Sequence, residues 1–159
     1  MMDFRNLKLR EMSEEEFLNF LSVSADSYAR DRMKTDFESY ETALEKAIAQ
    51  RNQLLPQGRK TPLHHFYHLT SEKNPILGSG WLKVDPTSGE AYLYQITVEE
   101  SFRGQGVGKS LLQMMEAEAK RLGGRVMWLN VMAHNPVAKS LYEGAGYGTA
   151  TLHMNKLLN

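Results

Sequence analysis

Cysteine is absent from this 159-residue sequence. Its absence excludes disulfide bonds, metal sites built from thiolates and a cysteine nucleophile. Net charge is absent too, because 19 lysines and arginines balance 19 aspartates and glutamates. A chain without net charge has no general attraction for nucleic acid or for a membrane surface, and we expect neither as a partner.

Long apolar runs are missing as well. No stretch approaches the ~18 residues that a membrane-spanning helix needs, and residues 1–6 contain no apolar segment of signal-peptide length. We therefore expect a cytoplasmic protein. The length predicts a single domain over residues 1–159, large enough to bury ~70% of its unfolded surface.

A glycine-rich loop, Arg103–Ser110 with the sequence RGQGVGKS, is the most informative segment of the chain. Aromatic and β-branched residues at 91–98 predict a strand before it, and apolar residues at helical spacing from Val107 to Leu122 predict a helix after it. Glycines allow a ligand to approach the backbone, and a helix N-terminus attracts anions. The loop therefore predicts a phosphate-binding site, to which Arg103, Lys109 and Ser110 add charge and hydrogen-bond donors.

Two common phosphate loops do not fit this spacing. A P-loop requires glycine where Arg103 stands, and it also requires an acidic residue after the next strand, at 126–131, which is missing. A dinucleotide-binding fingerprint requires Gly-x-Gly-x-x-Gly and an acidic residue ~20 positions later. Here the pattern is Gly-x-Gly-x-Gly, and Asn130 stands near the position of that acid.

The pattern Arg-Gly-x-Gly-x-Gly after a strand that ends in Val-Glu-Glu resembles the acyl-CoA pyrophosphate loop of the GNAT N-acetyltransferase superfamily. A second segment, residues 135–147 (NPVAKSLYEGAGY), resembles the Asn…Ala…Leu-Tyr-Glu…Gly-Phe/Tyr segment of the same family. Together the two motifs extend over about a third of the chain, from Tyr92 to Tyr147. Residues 54–58 with 61–65 resemble bacterial GNAT proteins of the YycN type.

The predicted elements follow the order βααβββαβαβ. They are the strand Phe4–Glu11, a helix from the capping box Ser13–Glu16 to Tyr28, a helix from Phe37 ended by Pro56 and Gly58, the strands Leu63–Leu69, Ile76–Val84 and Ala91–Val98, the helix Val107–Leu122, the strand Arg125–Val131, the helix from Asn135 to Gly146 and the strand Thr149–Leu157. A charged break at 30–36 separates the first two helices, and the apolar strand at 125–131 is expected to be covered on both faces. The order fits an α/β fold with a mixed central sheet and helices on both faces, as in GNAT proteins.

The resemblance implies acetyl-CoA as the co-substrate, no metal and no covalent acyl-enzyme. It also implies that the strand before the loop separates from its neighbour and leaves backbone groups free for the pantetheine arm. The residues expected to bind the cofactor are Ile96, Thr97, Val98, Arg103, Gly104, Gln105, Gly106, Val107, Gly108, Lys109, Ser110, Asn130, Asn135 and Tyr142. Asn135 is equally suited to cap the helix that follows it.

Tyr142 occupies the family's tyrosine position, which implies a general acid beside the CoA sulfur; the alternative is a buried structural tyrosine. For the general base, Glu90 is the first candidate, since it shares a strand face with Tyr92 and Tyr94. The alternative is a solvated residue of a turn. His64 is the rival base, and it too could simply be a core histidine.

His64 and His68 share one face of their predicted strand, whereas His65 points to the other, so we do not expect a three-histidine metal site. Trp81 and Trp128 are expected to lie in the core. We expect an N-acetyltransferase that acts on a primary amine of a small molecule or peptide. The alternative is a non-catalytic acyl-CoA-binding regulatory module, and a homodimer is left open.

Overall fold

The computed structural model describes residues 5–159, which form two compact units. The first unit contains the residues up to Glu15 together with Arg59–Asn130, and the second contains Glu16–Gly58 and Val131–Asn159. Phe4, the first residue of the predicted N-terminal strand, lies outside the described residues. Within residues 5–159, no helix combines the length and the apolar character that crossing a membrane requires.

The first unit is built on a five-stranded mixed sheet whose strands follow each other in chain order. The first four strands pair antiparallel with their neighbours, and the fifth runs parallel to the fourth. They are β1 (Lys8–Glu11), β2 (His64–Thr70), β3 (Gly78–Asp85), β4 (Glu90–Val98) and β5 (Val126–Leu129). The sheet confirms the predicted fold class and the presence of these five strands, although residues 5–7, part of the predicted first strand, lie outside β1.

One helix of this unit, α3 (Val107–Arg121), packs against β3 and β4. Two glycines of β3 make the close approach possible. A Cβ atom at Gly80 would lie 2.6 Å from Cε of Met115, and one at Gly78 would lie 3.2 Å from Cδ2 of Leu111. Because these contacts fix the start of α3 relative to the end of β4, they also position the glycine-rich loop between them.

The register divides the sheet side chains between two faces. Residues paired across neighbouring strands share a face, and successive residues alternate between faces. The face opposite α3 therefore carries His64, Phe66 and His68 of β2, Ser79, Trp81 and Lys83 of β3, and Glu90 and Tyr92 of β4. His64 and His68 share this face, as predicted.

The exposure of β5 differs from the prediction. Its apolar sequence predicted a strand covered on both faces, but Val126 is 51% exposed and Trp128 is 43% exposed. Trp128 is therefore not a core residue, whereas Trp81, only 2% exposed, is one. The reason is topological, because β5 is the last strand of the described sheet and no strand pairs with its outer edge.

The second unit contains α2 (Tyr40–Leu54), α4 (Pro136–Gly144) and nearly all of α1 (Glu14–Thr35). Single 3-10 turns lie at Gly58–Lys60, where the chain passes from the second unit to the first, and at Glu100–Phe102 of the first unit. The Ser39 hydroxyl caps α2 by accepting a hydrogen bond from the backbone N–H of Thr42.

The predicted charged break between the first two helices is wrong, because residues 30–35 continue α1. Three ion pairs at helical spacing line this stretch: Arg30 with Asp26 at 3.1 Å, Arg32 with Asp36 at 2.6 Å and Lys34 with Asp31 at 3.6 Å. Pairs three or four residues apart lie on one side of a helix and stabilise it. The charges therefore support the helix that they were expected to end.

The predicted last strand, Thr149–Leu157, is also wrong, because residues 147–159 have no regular secondary structure. This segment, which we call the tail (Thr149–Asn159), exposes every one of its side chains to solvent. A strand requires a partner with free backbone groups. The described sheet takes no strand from the tail.

Candidate active site

The glycine-rich loop joins the end of β4 to the start of α3 through the 3-10 turn at Glu100–Phe102. Gly104 and Gly106 have φ angles of +71° and +82°, a left-handed conformation that disfavours other residues. A Cβ atom at either glycine would meet no atom within 4 Å. The loop therefore has open space above its backbone, and a ligand can approach it closely.

Side chains of the loop tie it to the strand and to the 3-10 turn that precede it. Nε of Arg103 donates a hydrogen bond to the carbonyl oxygen of Val98 at 3.0 Å, and Nε2 of Gln105 donates to the carbonyl oxygen of Ser101 at 3.1 Å. Lys109 is exposed on the first turn of α3. The first amides of a helix point their N–H groups outward, so with these two cations the loop suits a phosphate or a pyrophosphate.

β4 and β5 pair over only part of their length. The pairing runs from Glu90 and Val126 to Leu93 and Leu129, and the last five residues of β4, Tyr94–Val98, have no partner on β5. The backbone groups on that side of β4 can therefore bond an extended ligand that carries amides. Ile96, Thr97 and Val98, the residues expected to hold the pantetheine arm, belong to this segment.

A β-bulge at Tyr94 interrupts the pairing of β4 with β3, since Trp81 pairs with Gln95 while Leu82 pairs with Leu93. The bulge brings Tyr94 into a group of rings. Its centroid lies 4.5 Å from that of Trp81, 4.5 Å from that of Tyr92 and 5.7 Å from that of His64. Bulges often redirect a side chain beside an active site.

His64 is buried in this group and is bonded through one ring nitrogen. Nε1 of Trp81 donates a hydrogen bond to Nδ1 of His64 at 2.9 Å. Burial, together with the charges of Lys83 and His65, lowers the pKa of His64 to about 4. The ring is therefore neutral at pH 7. Because the indole N–H occupies Nδ1, the proton stays on Nε2, and the free side of the ring donates rather than accepts.

Glu90 lies at the other end of β4 and is exposed. It lines a shallow cleft of about 200 Å³ together with the rings of Tyr92, Tyr94 and Trp128. Lys83, Asp85 and Ser88 complete its polar lining. The cleft therefore presents carboxylates beside aromatic rings, a combination that suits an ammonium group.

The other two histidines of β2 have different surroundings. His65 stacks on Tyr67, with ring centroids 6.3 Å apart, and Tyr67 donates a hydrogen bond to Glu118 of α3 at 2.8 Å. Nδ1 of His68 lies 2.9 Å from the hydroxyl of Ser79. No group of three metal-ligating side chains was found anywhere in residues 5–159.

Tyr142 lies on α4, in the second unit, where it is half-buried. Its ring meets the ring of Tyr147 edge-on at 5.8 Å. Burial raises the pKa of the Tyr142 phenol, so its oxygen keeps its proton at neutral pH. The side-chain oxygen of Asn135 accepts a hydrogen bond from the N–H of Ala138 at 3.1 Å and caps α4, as predicted.

Two features of the site carried no signal in the sequence. The bulge at Tyr94 involves no glycine, and nothing in the chain marks Trp81 as the donor to His64. Both depend on the register between β2, β3 and β4, which is fixed only when the sheet assembles. Asn130, a predicted cofactor ligand, is exposed directly after β5.

Sequence comparisons point to one family. The family model described as "Acetyltransferase (GNAT) family" matches residues 25–147. YdgE of Bacillus subtilis, an uncharacterized N-acetyltransferase, is 32% identical over 152 residues, covering 94% of this chain and 97% of YdgE. YycN of the same organism, also an uncharacterized N-acetyltransferase, is 32% identical over 154 residues, covering 96% of this chain and 99% of YycN.

Solved structures agree with the sequence matches. The crystal structure of YycN superposes with a TM-score of 0.90 at 31% identity, covering 97% of this chain and 99% of YycN. A spermidine N-acetyltransferase of Vibrio cholerae in complex with CoA and spermine shares the fold, with a TM-score of 0.62 at 16% identity over 88% of this chain and 79% of that one. The YycN-type resemblance read from residues 54–65 is confirmed.

Proposed function

The chain belongs to the GNAT acetyltransferase family, whose members use acetyl-CoA, and on that premise we propose that it acetylates a primary amine of a small molecule or peptide. The amine attacks the acetyl group directly, in a ternary complex of protein, acetyl-CoA and acceptor. The observation that supports this most is the loop at the start of α3, with two left-handed glycines and open space above both.

The residues present fit acetyl-CoA, which supplies the activated thioester. The loop amides, Arg103 and Lys109 would hold the pyrophosphate, because a helix N-terminus with two adjacent cations compensates its charge. The segment of β4 that does not pair with β5, Tyr94–Val98, would bond the amides of the pantetheine arm. Asn130 and the amide group of Asn135 follow the family pattern and are proposed as further contacts.

The acceptor amine must lose a proton before it attacks. An alkylamine has a pKa of ~10.4, so freeing its lone pair at pH 7 costs ~4–5 kcal/mol. We assign the base to Glu90. About 13 Å of strand separates it from Tyr94, where the part of β4 that does not pair with β5 begins. Glu90 therefore takes the proton through a chain of water molecules rather than directly.

His64 is the weaker candidate for this role. Its one lone pair, on Nδ1, already accepts the indole N–H of Trp81. We propose instead that His64 helps to fix the ring group around Tyr94.

Tyr142 is proposed as the donor to the leaving sulfur. A thiol has a pKa of ~8.5 and a phenol of ~10, so complete proton transfer from tyrosine to a thiolate is uphill. Burial raises the pKa of Tyr142 and makes that transfer harder still. A hydrogen bond from the phenol to the sulfur, strongest as negative charge develops, is the contribution that this chemistry allows.

Release of free thiol from acetyl-CoA, measured against a panel of primary amines and peptides, tests the proposal. Turnover that depends on one class of amine would support it. Binding of acetyl-CoA without turnover across the panel would favour a non-catalytic acyl-CoA-binding module. Stabilisation by NAD or ATP equal to that by CoA would contradict the assignment of the loop.

A further inference from the structure

Among the described residues, Lys83 is the only cation that lines the cleft beside Glu90. It lies on β3, on the sheet face opposite α3, and it is half-buried. Its register partners are His64 on β2 and Tyr92 on β4, and Tyr92 in turn pairs with Trp128 on β5. One row across four strands therefore places a primary amine between an imidazole and the aromatic wall of the cleft.

The amine of Lys83 is not engaged by another side chain. Within residues 5–159 its ammonium group makes no hydrogen bond and no ion pair, and it acts on Asp85 and His64 through its charge alone. Lysines on the helices differ, because three of them pair with carboxylates: Lys34, Lys46 and Lys139. Lys83 is therefore available to an electrophile that reaches the cleft.

The thioester of acetyl-CoA would reach the same cleft, a step that rests on the proposed function. With the pyrophosphate at the glycine-rich loop, a pantetheine arm bonded to Tyr94–Val98 runs from Val98 back toward Tyr94. The acetyl group at the far end of the arm then lies beside Tyr94, which lines the cleft. Lys83 and Tyr94 are diagonal neighbours across β3 and β4, ~7–8 Å apart, a distance that long side chains span.

We propose that the protein acetylates its own Lys83 when no external amine occupies the cleft. Lys83 first loses one proton, through water, to Glu90, which passes it on to solvent. Nζ then attacks the acetyl carbon, so that a C–N bond forms and the C–S bond breaks. The second proton that the nitrogen loses goes to the departing thiolate. The products are Nε-acetyl-lysine at position 83, free CoA thiol and one proton in solution.

Self-acetylation changes the charge of the cleft. An acetylated lysine is neutral, so the lining loses its only described cation. Asp85 and Glu90 remain, and the longer side chain takes up part of a cleft of about 200 Å³. Acetyl-CoA that meets no external acceptor therefore alters the surface that the next acceptor would meet.

Mass spectrometry of the protein incubated with acetyl-CoA alone provides the first test. Peptide mapping should locate an added acetyl group on Lys83, at a rate that does not depend on protein concentration, because amine and thioester belong to one complex. Lys120 is the matched control, since it is exposed on α3, on the other face of the sheet, and reports chemical acetylation from solution. Lys83 should react at least ~10-fold faster than Lys120 because it is held beside the thioester.

Two variants and a protection experiment separate catalysed from chemical acetylation. Gly106→Asp, which should lose the CoA site, should slow Lys83 to the rate of Lys120 and leave Lys120 unchanged. Lys83→Arg keeps the positive charge but offers no lysine amine, so the fast phase should disappear from the mass of the intact protein. A readout without acetyl transfer applies even if Gly106→Asp fails to fold: bound CoA should shield Lys83, but not Lys120, from labelling by an amine-reactive ester.

Four results would overturn the inference: equal rates at Lys83 and Lys120, a Lys83 rate that increases with protein concentration, an unchanged Lys83 rate in Gly106→Asp, or no shielding by CoA. The amine panel keeps this inference separate from the proposed function. Thiol release with an external amine while Lys83 stays unmodified would overturn self-acetylation alone. No thiol release with any amine and no acetyl group on Lys83 would contradict both.

Discussion

A hydrogen bond between two side chains separates the candidate bases. Spacing along β2 and β4 makes Glu90 the first candidate and His64 its rival, since either side chain could face an acceptor. The indole of Trp81, which occupies Nδ1 of His64, removes the lone pair that a base requires. Glu90 has no such restriction, because it lines an open cleft.

Replacing Glu90 by glutamine should therefore lower kcat by ~10²–10⁴-fold while acetyl-CoA still binds. Activity should recover as the pH rises, because solution then supplies free amine. Steady-state thiol release between pH 6 and pH 10 measures both effects. Asp85→Asn is the control, since Asp85 lines the same cleft but accepts a hydrogen bond at 2.9 Å from the backbone N–H of Thr87, which asparagine can also accept.

The opposite pattern would reject this assignment. If Glu90→Gln turns over like the wild type while His64→Gln loses activity and regains it at high pH, the base lies on β2. An equal loss in Asp85→Asn and Glu90→Gln would instead indicate that the cleft binds the acceptor only by its negative charge.

Tyr142→Phe keeps the ring and its contact with Tyr147 but removes the only proton that this position can give. We expect folding and acetyl-CoA affinity close to those of the wild type and a lower kcat, because the lost hydrogen bond is made mainly in the transition state. Kinetics with amines of different basicity show whether departure of the thiolate limits the rate. If the variant unfolds, the hydroxyl has a structural role. If the variant turns over at the wild-type rate, the hydroxyl takes no part in catalysis.

At the level of secondary structure, the glycine-rich loop is the element on which the cofactor assignment depends. Gly106→Asp places a carboxylate where the pyrophosphate is expected. CoA should raise the melting temperature of the wild type through binding to the native state, and the variant should lose that increase. Differential scanning fluorimetry with and without CoA measures it.

Gly146→Asp separates the effect of charge at the loop from the effect of backbone strain. Gly146 also has a left-handed φ, +96°, and open space around its Cβ position, but it follows α4. Both substitutions strain the backbone. Only Gly106→Asp should abolish the response to CoA, and a loss of that response in both variants would count against the loop as the pyrophosphate site.

The elements that the sequence predicted well are those whose signals are local. The N-cap of α4, the glycines before α3 and the alternation in β2 and β4 act within a few residues. The charged stretch of α1 was misread because its ion pairs form only when the helix is already in place. The prediction of a strand in the tail was wrong because alternating apolar residues predict a strand but do not identify the strand with which it would pair.

At the level of the entire chain, the α/β fold could be predicted because two family motifs fix the order of the central elements. A single domain over residues 1–159 remains a prediction. The exposure of Trp128 could not be predicted, since the sequence of an apolar strand does not show whether the strand lies at the centre of a sheet or at its edge. The environment of His64 could not be predicted either, because it is formed by Trp81 and Tyr94, which lie 17 and 30 positions away in the chain.

The buried His64 should make the stability of the entire protein depend on pH. Its pKa is about 4 in the folded chain and 6.5 in the unfolded chain, so between these values only the unfolded chain binds the proton. The free energy of unfolding should therefore fall as the pH drops from 6.5 to 4, by about 3 kcal/mol from this group alone. Urea unfolding of the wild type and of His64→Gln across this range isolates the effect, because other groups titrate in both proteins and cancel. Glutamine can still accept the indole N–H but binds no proton, so the stability of the variant should fall less steeply as the pH drops. If the two proteins lose stability in parallel, His64 is protonated in the folded state and burial does not hold its ring neutral.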